Sequence, residues 1–273
     1  MKRLLLGALL VSCPGEAAPP YVSPYRVDLP YPVEELIPDL LQGERGDLRF
    51  EAKVPHGQWY RHANPWIGPW GPLPREYPPP AVAGDGSDDW KRARVLATAL
   101  RYVGYGYRHH HVPDWDPPPG WYTPKPGGTR HDGQGVDCSS FTSFVYNQAL
   151  GIGISSDVVK QAATQAATLH GGGDAVPVKV LPRQKDLAGW REALRPGDLV
   201  FIRPRSGTGI SHVVIWVGAW GVPGDPPLVL DSHGEDVRDS SGVLIPSGIH
   251  LRPFRADSWY CTSADHALRI VGY

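Results

Sequence analysis

The chain has 273 residues, of which 41% are hydrophobic and 20% charged, which is enough to bury one sizeable core. Its 27 lysines and arginines balance 28 aspartates and glutamates, giving a net charge of -1 at neutral pH. With this balance the protein has no excess of positive charge to bind a polyanion, so nucleic acid and an anionic membrane surface are excluded as expected partners.

Residues 1–18 have the pattern of an export signal. Met1, Lys2 and Arg3 precede an apolar run at 4–11 that is too short to span a bilayer. The sequence ending at Cys13 resembles a bacterial lipobox and would leave Cys13 as a lipidated N-terminus, while small residues at 15–17 offer an ordinary cleavage site. We favour the lipobox and expect a protein exported to the cell envelope, periplasm or medium, with membrane contact only through an anchor at Cys13.

Residues 19–85 form a proline-rich extension ahead of a catalytic domain at 86–273. The extension contains Trp59, Trp66 and Trp70 but no long periodic segment. Large aromatic side chains gain by packing on a surface, which is either the chain's own domain or glycan. We favour packing on its own domain.

Two helices are predicted by their caps and apolar spacing. The first begins at the Ser87 cap and runs to Val103, and the second begins at Cys138 and stops before Gly151. A long Pro/Gly-rich loop at 112–135 leads into the second helix and is expected to face substrate. Further helices are predicted at 156–169 and 186–194.

The C-terminal half changes to short β-branched or apolar runs separated by Gly, Pro and Asp. Strands are predicted at 199–202, 212–217, 229–231, 249–251 and 268–271. Helices followed by strands indicate an α+β fold, in which the Cys138 helix packs on one face of an antiparallel sheet.

The predicted catalytic pair is Cys138 and His212. A helix N-terminus favours the thiolate form of a cysteine, although the neighbouring Asp137 charge opposes it, so an imidazolium is still needed. His212 opens a strand and can emerge at the rim of the sheet. Asp231 and His233 lie on one face of the next strand, and either could orient His212.

The remaining cysteines and histidines are weaker candidates for catalytic, disulfide-forming or metal-binding residues. With Cys13 removed or lipidated, Cys138 and Cys261 would be the sole disulfide pair, but one bridge is not a disulfide framework, and Cys261 is expected to be a small structural residue. The run at 109–111 together with His131 lacks a tight ligand pattern. We therefore expect loop histidines there, with no metal and no cofactor.

Three motifs then occur in a recognisable order: Asp137-Cys138-Ser139-Ser140-Phe141, the segment 194–200 (LRPGDLV), and the segment 211–214 (SHVV). Together they resemble the NlpC family of bacterial cell-wall cysteine peptidases, over about residues 88–270.

The resemblance implies a papain-like fold with Cys138 as nucleophile, His212 as base and a polar orienter on the following strand, for which the family's hairpin favours Asp231 over His233. It implies that Tyr107 and the backbone beside Ser139 hold the oxyanion or substrate. It also implies peptidoglycan as the partner, cut commonly between D-glutamate and diaminopimelate. Ser140 and the pair at 110–111 stand where the family usually has glycine, so the substrate pocket is expected to differ.

The sequence leaves other functions open. The same residues suit an amidase at the sugar–peptide junction or an acyltransferase on another substrate. A catalytically silent wall-binding lipoprotein is a further alternative, against which the intact Cys138 and His212 pair argues.

Overall fold

The computed structural model describes residues 21–42, 73–84, 86–109, 135–173, 175–218, 220–221, 226–239 and 242–272. The export signal, the three tryptophans of the extension, His110, His111, His131 and most of the loop at 112–135 lie outside these ranges. Within them, no helix combines the length and the apolar character needed to cross a membrane.

Seven α-helices and eleven strands occur in the described ranges. The helices are α1 (Val33–Leu36), α2 (Pro38–Leu41), α3 (Asp88–Leu100), α4 (Cys138–Leu150), α5 (Val158–Ala162), α6 (Leu187–Ala193) and α7 (Trp259–Thr262). The strands are β1 (Ile152–Gly153), β2 (Ala166–Leu169), β3 (Ala175–Pro177), β4 (Lys179–Leu181), β5 (Leu199–Ile202), β6 (His212–Gly218), β7 (Leu228–His233), β8 (Val237–Arg238), β9 (Leu244–Ile245), β10 (Gly248–Pro253) and β11 (Ala264–Arg269).

The central sheet has six antiparallel strands in the order β10-β7-β6-β5-β11-β4. All seven residues of β6 are buried, and their alternation divides them between two layers. Val213, Ile215 and Val217 face the cluster that includes α4, whereas Val214 and Trp216 face the cluster that includes α6 and α7. The predicted α+β arrangement is confirmed, with the Cys138 helix packed on one face of this antiparallel sheet.

Helix α4 is fixed at both ends by the residues that predicted it. The Asp137 side chain caps its start by accepting a hydrogen bond from the Ser140 N–H. Phe141 and Phe144 are fully buried against the sheet. At the other end Gly151 adopts the left-handed conformation with φ 68°, and its N–H closes the last turn.

The helix predicted over 156–169 is wrong beyond its first turns. Helix α5 is capped by Asp157 and ends at Ala162, and residues 166–169 form β2 between β1 and β3. The alanines of this segment suit a helix by propensity, but pairing with two neighbouring strands overrides that preference. Strand β11 also starts earlier and ends earlier than predicted.

The described parts of the extension pack on the rest of the molecule. Leu36, Ile37 and Leu40 form a small core with Ala93 and Ala97 of α3. In addition, the buried guanidinium of Arg94 pairs with Asp39 at 2.7 Å and donates to the Ala149 carbonyl at the end of α4. This part of the extension is therefore tied to both long helices.

Candidate active site

Cys138 is the first residue of α4 and is only 6% exposed. Its position places the sulfur at a helix N-terminus, where N–H groups without helical partners and the helix dipole favour negative charge. The carboxylate of the capping Asp137 takes one of these N–H groups, that of Ser140, at 2.8 Å. The structure therefore places the thiol where a thiolate is stabilised.

His212 lies opposite, at the first position of β6, and is also 6% exposed. Its Nε2 lies 2.7 Å from Oδ2 of Asp231 on the adjacent strand β7. The Cys138 side chain lies close enough to the imidazole for its charge to act on the ring. Because Nε2 is engaged by the carboxylate, Nδ1 is the nitrogen left for the thiol.

The charges around His212 favour its protonated form. Burial on its own would lower the pKa of His212. The negative charge of the Cys138 thiolate and the hydrogen bond that His212 donates to Asp231 outweigh burial and raise the pKa to about 10. At neutral pH the imidazole is therefore a cation beside the sulfur.

Asp231 is fully buried and is held by three donors. Its Oδ2 accepts from His212 and from the Tyr260 hydroxyl at 2.9 Å, and its Oδ1 accepts from Arg252 Nε at 2.9 Å. Burial would raise the pKa of this carboxyl, but the charge of Arg252 and the His212 hydrogen bond outweigh it and hold the pKa well below its usual range. Asp231 is thus a fixed anion behind the imidazole.

His233, the alternative orienter, has a different place. Its ring meets that of His212 edge-on with centroids 5.5 Å apart, and its Nδ1 lies 3.0 Å from the Glu235 carbonyl oxygen. Burial, together with the positive charges of His212 and Arg252, overcomes the Asp231 charge and lowers the pKa of His233 to about 4. His233 is therefore neutral and half-buried beside the site, and it is Asp231 that accepts the hydrogen bond donated by His212.

The structure brings Tyr107 and Ser139 to the same region. Burial and the nearby charges of Cys138 and Asp137 raise the pKa of Tyr107 well above its usual value, so its hydroxyl stays protonated. The Ser139 hydroxyl donates to the Ser156 carbonyl at 2.6 Å, which commits that side chain to the protein. Ser139 therefore offers a substrate its backbone N–H, in the first turn of α4, and not its hydroxyl.

Two aromatic residues of α7 complete the wall behind His212. The Trp259 ring lies 5.5 Å from the His212 ring at an angle of 32°, and Tyr260 lies beside it. Trp259 Nε1 donates to the Arg203 carbonyl at 3.1 Å, which fixes the indole. These rings limit the access of water to the imidazole on that side.

The other titratable candidates do not join this cluster. His109 Nδ1 lies 3.5 Å from Asp137 Oδ2, at the edge of the site. Across the ranges that the structure describes, no group of three or more His, Cys, Asp or Glu side chains is arranged to hold a metal. Cys138 and Cys261 are both free and buried, and burial raises the pKa of the Cys261 thiol.

Sequence reasoning missed Arg252, Trp259 and Tyr260. No motif marks them, because they contact Asp231 and His212 only through the folding of β10 and α7 onto the sheet. Strand alternation offered one signal, since β10 pairs antiparallel with β7 with His250 opposite Asp231, and Arg252 lies on the same face as His250.

Part of the chain is similar to a known protein family. Residues 125–237 match the model of the NlpC/P60 family, which confirms the resemblance that the three motifs indicated. No curated protein matches the chain in sequence.

Two solved structures match parts of this chain. An NlpC/P60 family protein from Bacillus cereus ATCC 10987 is 17% identical with a TM-score of 0.40, and the match covers 71% of this chain and 42% of that protein's chain. The NlpC/p60 domain of the peptidoglycan hydrolase SagA is 20% identical with a TM-score of 0.31, covering 67% of this chain and 98% of that chain. The chain thus spans less than half the length of the first of these proteins.

Proposed function

We propose that this chain, which carries an NlpC/P60 match over residues 125–237, is a cysteine peptidase that hydrolyses amide bonds in the stem peptides of peptidoglycan. The family match supports a peptidoglycan hydrolase of the cysteine peptidase or amidase kind. The single observation that carries the finer proposal is the buried chain of contacts from the Cys138 thiol through His212 to Asp231.

The first half of the proposed reaction is acyl transfer to sulfur. The Cys138 thiolate attacks the carbonyl carbon of the amide, and the resulting oxyanion accepts hydrogen bonds from first-turn N–H groups of α4 and from the Tyr107 hydroxyl. The C–N bond then breaks while the His212 imidazolium gives its proton to the leaving nitrogen. The products of this half are a free amine and a thioester on Cys138.

The second half returns the enzyme to its starting state. Neutral His212 removes a proton from water, whose oxygen attacks the thioester carbonyl and displaces the Cys138 sulfur as thiolate. His212 is then again the imidazolium, and the acyl product leaves as a carboxylic acid that loses its proton to the solvent. Throughout, Asp231 keeps the ring oriented and stabilises its positive charge, so we assign it the role of the orienter.

The bond that we propose is the D-glutamyl–diaminopimelate amide within the stem peptide. Related catalysts with the same residues can cut at the sugar–peptide junction or transfer the acyl group elsewhere, and a silent member would only bind the wall. The identity of the new chain ends separates these functions, because each produces different products.

The test is digestion of purified diaminopimelate-type peptidoglycan with the full chain, followed by mass spectrometry of the soluble fragments. An endopeptidase is expected to release fragments with new amines inside the stem. Release of whole stem peptides would identify an amidase instead. Absence of any fragment, with the protein still sedimenting with insoluble wall, would identify a binding protein.

A further inference from the structure

A cavity of about 290 Å³ opens beside the proposed catalytic residues. His233, Trp259 and Tyr260 form its wall on the side of the catalytic site. These three residues are the ones whose rings surround the His212 imidazole, at centroid distances of 5.5 to 6.1 Å. The cavity is therefore separated from the imidazole by a single layer of side chains.

The rest of the cavity lining is strongly basic. Arg205, Arg238, Arg252 and Arg255 all contribute to it, against the two carboxylates of Asp239 and Asp257. The Asp239 carboxylate is already engaged within the protein, because Oδ1 accepts from the Val243 N–H at 3.0 Å and Oδ2 accepts from the Tyr25 hydroxyl. With Arg252 paired to Asp231, the three guanidinium groups of Arg205, Arg238 and Arg255 still outnumber the two carboxylates, so the net charge of the lining is positive.

Arg252 forms the buried part of this lining. Its Nε donates to Asp231 and its Nη2 to the Pro246 carbonyl at 2.8 Å. Its Nη1 is buried and has no hydrogen-bond partner in the part of the chain that the structure describes. The cation at the base of the cavity is thus not saturated by the protein's own acceptors, which favours an added anion nearby.

The position of the cavity indicates which part of a substrate it meets. His212 must reach the nitrogen that leaves, so groups attached to that nitrogen lie on the imidazole side of the scissile bond. The cavity is on this side, behind His233 and Trp259. Arginine is the side chain best suited to recognise a carboxylate there, through paired N–H donors.

We propose that this cavity, defined by Arg205, Arg238, Arg252 and Arg255, is a subsite for a carboxylate on the residue that leaves as the free amine. This inference rests on the proposed peptidase function, and it adds which side chains of this protein hold the carboxylate of the leaving residue. The apolar parts of the lining, such as Ile245 and Trp259, receive the aliphatic part of that residue.

Binding is measured first, because it does not require turnover. The full chain is titrated calorimetrically with diaminopimelate and, separately, with its dicarboxamide. We expect the dicarboxylate to bind at least about tenfold more tightly than the amide, as a charge-assisted contact requires. Equal binding of the two, or no binding of the dicarboxylate at millimolar concentration, would overturn the subsite.

Variants then locate the binding. Arg205→Gln and Arg255→Gln are expected to remove most of the preference for the dicarboxylate, and Arg205 is exposed, so that variant keeps the fold. Arg191→Gln, on the exposed surface of α6 and outside the cavity, is the matched control and is expected to bind as the wild type does. A preference that survives both cavity variants would contradict the assignment.

Turnover separates this inference from the proposed function. With γ-D-glutamyl-diaminopimelate as substrate, we expect Arg205→Gln to raise KM several-fold while kcat changes little. When the carboxylates on the leaving side of this substrate are amidated, we expect the wild type and the variant to have the same KM. Selective binding of the dicarboxylate without cleavage of the substrate would support the subsite and contradict the proposed peptidase function. If the amidated substrate were cleaved as efficiently as the acid, the peptidase function would stand and the carboxylate subsite would be wrong.

Discussion

At Asp231 an arginine, a tyrosine hydroxyl and a histidine meet one fully buried carboxylate. Each donor stabilises the anion, and the anion in turn holds His212 protonated and aimed at Cys138. In the proposed mechanism these three donors let the carboxylate act as the orienter without contact with solvent. It also makes the electrostatics of the site depend on this one side chain.

The pH dependence of activity follows from the raised pKa of His212. In the proposed mechanism protonated His212 is required to release the amine, so kcat/KM is expected to fall as pH rises through about 10. Asp231→Asn removes the charge and is expected to move this alkaline limb down towards the usual histidine value of about 6.5. Tyr260→Phe keeps the Asp231 carboxylate and is expected to shift the alkaline limb of the pH profile less. If the alkaline limb of Asp231→Asn stayed at the wild-type pH, Asp231 would not be the group that holds His212 protonated.

The same pKa predicts how stability changes with pH. A histidine whose pKa is raised by folding stabilises the protein fully below its unfolded pKa of about 6.5, and that stabilisation is lost as pH rises through about 10. Urea midpoints of the wild type are therefore expected to decline from neutral to alkaline pH. The urea midpoint of His212→Gln is expected to decline less between neutral and alkaline pH. If the midpoints of the wild type and the variant declined equally, the pKa of His212 would not be raised by folding.

Thiol labelling discriminates between the two buried cysteines. Cys138 lies beside a cationic imidazole at a helix N-terminus, whereas burial raises the pKa of Cys261. Brief treatment with iodoacetamide at neutral pH is expected to modify Cys138 at least about tenfold faster, as measured by peptide mass spectrometry. His212→Ala is expected to remove most of this difference. Faster labelling of Cys261 in the folded protein would overturn the assignment of the nucleophile.

At the level of elements, the junction at Gly151 joins α4 to the extension. A Cβ at this position would lie 2.5 Å from Pro79 N and 2.6 Å from the Tyr77 carbonyl oxygen. The Tyr77 N–H donates a hydrogen bond to Oδ1 of Asn147, in the last turns of α4, at 3.1 Å. Nδ2 of Asn147 donates to the Arg75 carbonyl at 2.6 Å. The end of the helix is therefore also a docking point for residues 75–79.

Gly151→Ala is expected to destabilise the protein by more than the roughly 1–3 kcal/mol of a strained left-handed residue, because the extension must also move. Gly173→Ala is the matched control, since Gly173 has φ 77° and a Cβ there would have no described atom within 4 Å. Urea unfolding and hydrogen exchange at the Tyr77 N–H measure the difference. Equal effects of the two substitutions would show that the contact with the extension contributes nothing.

The elements also show where sequence reasoning succeeds and where it does not. Caps and stops such as Ser87, Asp137 and Gly151 act locally, so they predicted the start of α3 and both ends of α4 from neighbouring residues alone, whereas α3 ends at Leu100, before the predicted Val103. Residues 166–169 became a strand because of partners at 152–153 and 175–177, which local propensity does not encode. Arg252 and Tyr260 were missed for the same reason, since their roles depend on tertiary contacts.

At the level of the whole molecule, the extension is part of the structure in its described ranges. The Arg94 and Asp39 pair and the apolar contacts of α1 and α2 fix the extension to α3. The segment between them and residue 73 carries Trp59, Trp66 and Trp70, whose packing stays a prediction, as does the domain boundary at 85.

We propose that the chain is exported and anchored through Cys13. When the full chain is expressed in a bacterium fed labelled palmitate, the wild type is expected to take up label and to fractionate with membranes. Cys13→Ala is expected to lose both properties. An unlabelled wild type whose mature N-terminus falls after residue 17 would instead indicate ordinary signal cleavage.

The central claim is that Cys138, His212 and Asp231 act together in hydrolysis of the stem peptide. The most direct measurement is mass spectrometry of muropeptides released by the wild type beside Cys138→Ala, His212→Ala, Asp231→Ala and His233→Ala, each shown to be folded by circular dichroism. We predict that cleavage inside the stem is abolished by the first two variants, reduced at least about a hundredfold by Asp231→Ala, and retained substantially by His233→Ala. Undiminished cleavage by folded Cys138→Ala, or loss with His233→Ala while Asp231→Ala remains active, would contradict this account.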